Sequence, residues 1–265
     1  MVFEGDLDKM PVVLGNPVQY NLVLGESTLN INGHLGQPIR LQFTGVIHCV
    51  ICGKATKKAF GQGFCYPCFI NSPENSDCIL RPELCEGHLG KGRDLQWEQE
   101  KHVQPHFVYL ALTSALKVGV TRVANVPGRW VDQGAWKVIR FAETPYRQLA
   151  GQIEVFLKEH LTDKTDWRKM LKDERNEEID MVEEKNRLLD LLPAGFGDFF
   201  SEDDEVVEIH YPVLQYPEKV NSLTFDKEQD IQGTLMGIRG QYLILDGGRV
   251  LNLRRHSGYH IRVEV

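Results

Sequence analysis

The chain has 265 residues, of which 42% are hydrophobic and 25% charged, with a formal net charge of −7. That apolar share supports packed cores and excludes a wholly disordered chain. No run of 18 apolar residues occurs, and the N-terminal MVFEGDLDKM is acidic with no apolar segment. Neither a membrane span nor a secretory leader is expected, so the reading is a cytoplasmic protein with no membrane partner.

Residues 12–47 alternate in short β-prone runs, such as 19–24 and 39–43, punctuated by Gly and Asn. They read as an antiparallel meander. Residues 48–104 are rich in Cys, His, Gly and Pro, a composition that needs metal to hold a fold. Residues 107–113 and 116–121 read as two strands joined by a tight turn at Ser114-Ala115. A short helix is expected over 129–133 and a third strand over 136–142. Thr144-Pro145 then reads as a helix start, followed by apolar residues Leu149, Ile153, Phe156, Leu157 and Leu161 at helical spacing. Residues 172–192 read as a charged helix and 201–205 as an acidic linker. Strands return from Val206, with Gly233, Gly237, Gly240, Gly247-Gly248 and Gly258 at expected turns. The fold class is therefore α+β in five segments. These are an N-terminal β meander (1–47), a zinc-ribbon-like binding module (48–104), a small α/β domain (105–170), an acidic helix and linker (171–205) and a small C-terminal β barrel (206–265).

All six cysteines lie between Cys49 and Cys85. Cys49, Cys52, Cys65 and Cys68 form CxxC–x12–CxxC, and two such knuckles can close a tetrahedral thiolate cage around one Zn²⁺. Cys78, Cys85, His88 and His102 would make a second four-ligand site; two buried cysteines beside surface histidines would read the same way. Both sites would be closed by protein ligands, so they hold structure and do not activate water.

The net charge conceals a split. Residues 101–170 carry 11 Lys/Arg against 6 Asp/Glu, and residues 171–210 carry 4 against 14. A basic block beside an acidic one suits nucleic acid on the first and electrostatic masking by the second; ordinary solvated faces would give the same counts.

The order Phe107-Val108-Tyr109, Lys117-Val118-Gly119-Val120-Thr121, Arg129 and then Glu154 within Ala150-Gly-Gln-Ile-Glu-Val-Phe-Leu157 resembles the GIY-YIG nuclease family. It is similar to the branch whose second triplet reads KIG followed by Thr. The resemblance covers about residues 105–161. It implies two strands carrying the triplets, an arginine on the next helix, and a glutamate on a later helix that binds a divalent metal. Tyr109 would stand near the attacking water, Lys117 would replace the second tyrosine, Arg129 would neutralise the scissile phosphate, and Glu154 would hold one Mg²⁺ or Mn²⁺. Arg122 competes with Arg129 for the arginine role.

The whole chain also resembles an uncharacterised bacterial domain-of-unknown-function family. The stretches Arg81-Pro-Glu-Leu-Cys85, Leu116–Arg122, Arg129–Ala135, Asp163–Arg168 and Gly237–Leu243 carry that likeness. In that family the position of His102 is often a cysteine, which implies a zinc ligand.

Other segments read either way. Arg129, Trp130, Asp132 and Gln133 suit a phosphate contact with a stacked base, or a helix cap with a half-buried Trp. Asp163, Asp166 and Arg168 suit a site or, better, a helix-terminal ion-pair cluster. His210, His256 and His260 have no cysteine neighbours and are expected as surface or core residues. Arg249, Arg254, Arg255 and Arg262 make the C-terminal region locally basic. The functional expectation is a zinc-containing protein acting on DNA or RNA, as a divalent-metal-dependent endonuclease. The alternative is a non-catalytic zinc-stabilised module binding nucleic acid or a protein.

Overall fold

The computed structural model describes residues 1–161 and 166–265. In chain order the first elements are β1 (Val2–Asp6), β2 (Val12–Val13), β3 (Gln19–Leu24), β4 (Ser27–Asn30), β5 (Pro38–His48), β6 (Ala55–Thr56) and α1 (Tyr66–Asn71). Next come α2 (Leu95–His102), β7 (His106–Leu112), β8 (Leu116–Arg122), α3 (Gly128–Asp132), β9 (Lys137–Thr144) and α4 (Arg147–Lys158). Then follow α5 (Trp167–Leu171), α6 (Met181–Leu189), β10 (Val206–Glu208), β11 (Asn221–Leu223) and β12 (Asp230–Arg239). The last strands are β13 (Tyr242–Leu245), β14 (Arg249–Asn252) and β15 (Tyr259–Glu264). The chain divides into two units: residues 1–70, 131–134 and 209–265, and residues 71–130 with 135–208. No helix among the described residues is long and apolar enough to cross a membrane.

In the first unit, β2, β3 and β4 form an antiparallel meander, but the 39–43 run expected in it belongs to β5 of the larger sheet. Its strand β3 buries every second residue, Tyr20, Leu22 and Leu24, as a half-buried strand must. The C-terminal strands do not close a barrel. They enter an eight-stranded sheet of order β1-β15-β5-β12-β13-β14-β11, with β6 paired to β5. The physical reason is that β5, eleven residues long and apolar on alternate positions, offers both edges, and β12 and β15 each pair antiparallel to it. Gly233 and Gly237 are not at turns but inside β12. A Cβ at Gly237 would meet Val213 at 2.8 Å, at the place where the β12–β13 register shifts.

The segment of Trp130, Asp132 and Gln133 is structural in its two most telling residues. Trp130 is buried, and the Asp132 carboxylate accepts from Gln241 at 2.9 Å and pairs with Lys9 and Arg254. Nearby, the buried Arg239 donates to the Gly134 carbonyl at 3.0 Å and lies over the Tyr211 ring. A buried cation is tolerable only with such partners.

In the second unit, the antiparallel sheet runs β10-β9-β7-β8. One face, with Val108, Leu110, Leu116, Val118 and Ile139, packs against Ala150, Ile153 and Leu157 of α4. The helix begins at Arg147, two residues after the expected start, because Thr144 is the last residue of β9. Its hydroxyl donates within the chain to the carbonyls of His106 and Tyr146. The charged helix expected over 172–192 is confined to α6. Asp180 caps it by accepting the N–H groups of Val182 and Glu183. Asp173 takes a positive φ of 59° upstream, and Glu174, Glu177 and Glu178 repel one another at helical spacing. The acidic segment 201–205 is held in place. The buried Lys185 donates to the Asp203 carbonyl at 2.7 Å and pairs with Asp204 at 2.9 Å, while Arg140 pairs with Asp203.

Candidate metal centres and the Glu154 helix

Strand β5 ends at His48 and runs directly into the first knuckle. There Gly53 donates its N–H to the Cys49 carbonyl at 2.9 Å with φ at 67°, a left-handed turn that glycine adopts without strain. The second knuckle leads into α1, where Tyr66 meets Phe60 and Phe69 meets Phe64 edge to face. The sulfurs of Cys49, Cys52, Cys65 and Cys68 lie within 4.8 Å of one another. Tetrahedral Zn–S bonds of 2.3 Å require sulfurs about 3.8 Å apart. The Cys52 and Cys65 sulfurs are 3.8 Å apart. Burial pulls the Cys49 thiol up, but backbone N–H groups of Cys65, Cys52 and Ile51 outweigh it and lower it to about 6. Cys68 is pushed up to about 12, first by its hydrogen bond with Cys65. Four such sulfurs cannot all ionise without a cation, and the donor set fits zinc.

The second cluster differs in membership. Cys78, Cys85, Glu98 and His102 bring one ligand atom each within 4.8 Å, and all four are buried. His102 Nδ1 lies 3.4 Å from the Cys85 sulfur and 3.8 Å from that of Cys78, and it contacts the Glu98 carboxylate. His88 stays outside this group; its ring stacks on Tyr146 at 4.5 Å. Glu98 takes the fourth corner because α2 places residues four apart on one face, and Asp94 caps that helix by accepting the Trp97 N–H at 3.0 Å. Cys78 is lowered to about 4, first by its hydrogen bond with Cys85, while Cys85 is driven up. Burial raises the Glu98 carboxyl. Two thiols, an imidazole and a carboxylate in a dry site fit Zn²⁺.

This second cluster is tied to α4. Arg147 donates to the Cys78 carbonyl at 2.9 Å and to that of Ile79 at 3.0 Å. A Cβ at Gly151 would lie 2.2 Å from the Glu83 nitrogen, so only glycine lets the Pro82–Leu84 turn rest on the helix. Neither Glu98 nor Arg147 was singled out from the sequence. Glu98-x-x-x-His102 before a strand was the available cue for the first; the second had none.

The hairpin β7–β8 pairs Tyr109 with Gly119, and a Cβ at Gly119 would lie 2.6 Å from the Tyr109 hydroxyl. Tyr109 is fully buried, with Trp130 of α3 at 6.1 Å between ring centroids. Tyr109 and Lys117 alternate away from Val108, Leu110 and Val118, hence away from the sheet face that carries α4. Glu154 is buried on α4 and pairs with Lys158 at 3.4 Å. Arg147, depressed first by burial, is raised by the fields of Cys78, Cys85 and Glu154 and lowered by that of Arg129. Arg147 and Glu154 thus share α4, and Arg129 lies on α3. Arg122 is half-buried and lowered by burial. Asp166 caps α5 by accepting the N–H groups of Arg168 and Lys169, and Asp163 lies outside the described residues.

The family model described as protein of unknown function (DUF2797) matches residues 36–261, and the chain belongs to that family. No curated protein and no solved structure matches it.

Proposed function

We propose that the chain is a zinc-stabilised protein acting on nucleic acid, and that residues 105–161 form a divalent-metal-dependent endonuclease site of GIY-YIG type. The observation that carries this reading is Glu154 itself, a buried carboxylate on the helix that packs against the β7–β8 hairpin. Such a carboxylate can anchor the cation that a phosphodiester needs, and Arg129 of α3 would supply charge for the developing phosphorane. The Tyr109–Gly119 pair adds support, because it gives the two triplets a physical reason to share those residues.

Cys49, Cys52, Cys65 and Cys68 would hold one zinc, and Cys78, Cys85, Glu98 and His102 a second. Glu154 would hold the divalent ion of the reaction. One carboxylate fits Mg²⁺ or Mn²⁺, since such an ion keeps several waters and takes further ligands from substrate phosphate. Bound there, the ion would supply Lewis-acid stabilisation of the scissile phosphate. Arg129 binds and neutralises that phosphate. Arg147 braces the Glu154 helix against the second zinc loop. Lys158 pairs with that carboxylate at 3.4 Å.

A second reading, a non-catalytic module that binds nucleic acid or protein, is favoured by the complete burial of Tyr109 and by its projection from the other sheet face. Cleavage of labelled DNA and RNA with Mg²⁺ or Mn²⁺ decides between them. Wild-type cleavage that is lost in Glu154→Gln and in Arg129→Ala supports the nuclease. Binding without cleavage leaves the binding module, and cleavage unchanged in Glu154→Gln removes the Glu154 site.

A further inference from the structure

A third group of potential ligands lies in the first unit, remote in sequence from the second cysteine cluster. Asp6, near the end of β1, is register-paired with His260 of β15, and His48 ends the neighbouring β5. His48 Nδ1 is 2.8 Å from Asp6 Oδ1 and 2.9 Å from Oδ2, and His260 Nδ1 is 2.8 Å from Oδ1. The two imidazole planes meet at 83°, so two perpendicular rings aim the same nitrogen at one carboxylate.

The fold builds this convergence. The β15–β5 register slips between Tyr259 and Ile261, opposite the exposed Thr44, Gly45 and Val46. Gly45 takes φ of 90° there, and the Thr44 hydroxyl donates to the His260 carbonyl at 3.0 Å. Bulges of this kind re-aim side chains. Asp6, His48 and His260 are 30–40% exposed, so the core does not require them. Glu4, on the same side of β1 as Asp6, lies 3.4 Å from His260 Nε2 and adds a second negative charge.

We propose that Asp6, His48 and His260 form a third metal site, open to solvent, for a divalent first-row transition ion. Ligands at about 2.1 Å from an ion and at right angles are about 3.0 Å apart, close to the observed nitrogen–oxygen separations. Two imidazoles and one carboxylate suit Zn²⁺, Co²⁺, Ni²⁺ or Fe²⁺ rather than Mg²⁺ or Ca²⁺. Three protein ligands on a surface leave positions for water or an incoming ligand, unlike the two cysteine clusters.

The test is a Co²⁺ titration of the purified full chain, followed by calorimetry and by visible absorption. Wild type should take one ion more per chain than Asp6→Asn or His260→Ala, and each variant should bind that ion at least about tenfold more weakly. The added ion should give ligand-field bands with no thiolate charge-transfer band. On wild type alone, Zn²⁺ should shift the imidazole signals of His48 and His260 and leave His210 and His256 in place. Equal ion counts in wild type and variants, a thiolate band from the added ion, or unmoved His48 and His260 signals would each overturn the site.

Discussion

The two cysteine clusters offer ligand sets that fit zinc in opposite settings. In the first, Cys52 is exposed and Cys65 and Cys68 are half-exposed; in the second, every ligand is buried. The first is closed by a left-handed turn at Gly53 and by the start of α1, with backbone N–H groups on a sulfur. The second is a mixed set whose backbone carbonyls are held by Arg147 and whose turn rests on Gly151. A knuckle pair therefore organises its own loop, whereas the buried cluster organises a helix. Loss of the first ion should stay local, and loss of the second should reach Glu154.

The largest expected effect tests that contrast directly. Cys85→Ala removes a buried centre on the order of 10 kcal/mol, comparable with the whole stability of a small domain. Hydrogen exchange should show α4 amides losing protection in Cys85→Ala and keeping it in Cys52→Ala; equal loss would erase the distinction. Next comes Gly151→Val, where the new side chain meets the Pro82–Glu83 backbone. A loss of about 3 kcal/mol is expected by denaturant titration, with zinc content reduced at the second cluster alone.

Acid offers a further test within the second unit. Burial holds His106, on the strand that follows α2, down at about 4. The unfolded chain takes up that proton below about 6.5 while the folded one does not, so stability is unaffected above that pH and falls as pH drops from 6.5 to 4. The total is about 3 kcal/mol for this group, and His106→Gln should flatten that part of the stability curve relative to wild type. The smallest effect belongs to Arg147→Met, which leaves carbonyls of Cys78 and Ile79 without this donor. About 2 kcal/mol is expected from thermal melts, with Glu154-dependent cleavage falling more than zinc content. A variant that melts lower yet cleaves normally would detach α4 from the metal cluster.

Local pattern was legible, and distant pairing was not. The alternation in 19–24 gave β3, and the turn at Ser114-Ala115 gave the β7–β8 hairpin, because a period of two needs only neighbours. The CxxC spacing placed the first cluster for the same reason. The barrel reading failed because the partners of β12 and β15 lie in β5, far back along the chain. Glu98 escaped because acidic residues are common on helices and its value depends on a fold around it. The helix over 172–192 was overextended because propensity favours Glu, Lys and Leu, while the break depends on Asp180 as a cap and on crowded like charges. No pattern joins Asp6, His48 and His260.

The central strand of the large sheet also sets a timetable. Synthesis completes β5 at His48 and its two-residue partner β6 at Thr56, but its long partners begin at Asp230 and Tyr259. At about 5–20 residues per second the ribosome needs roughly 10–40 s to supply the first of them. Throughout that interval β6 covers only the Ile47–His48 end of one edge, and the rest of β5 stands open, the circumstance in which strands pair with the wrong neighbour. The knuckles at Cys49–Cys52 and Cys65–Cys68 emerge within the first part of that wait. Early capture of zinc would then act as a clasp on the end of an orphaned strand, and metal starvation would be felt as aggregation during translation before it is felt as any loss in the finished protein.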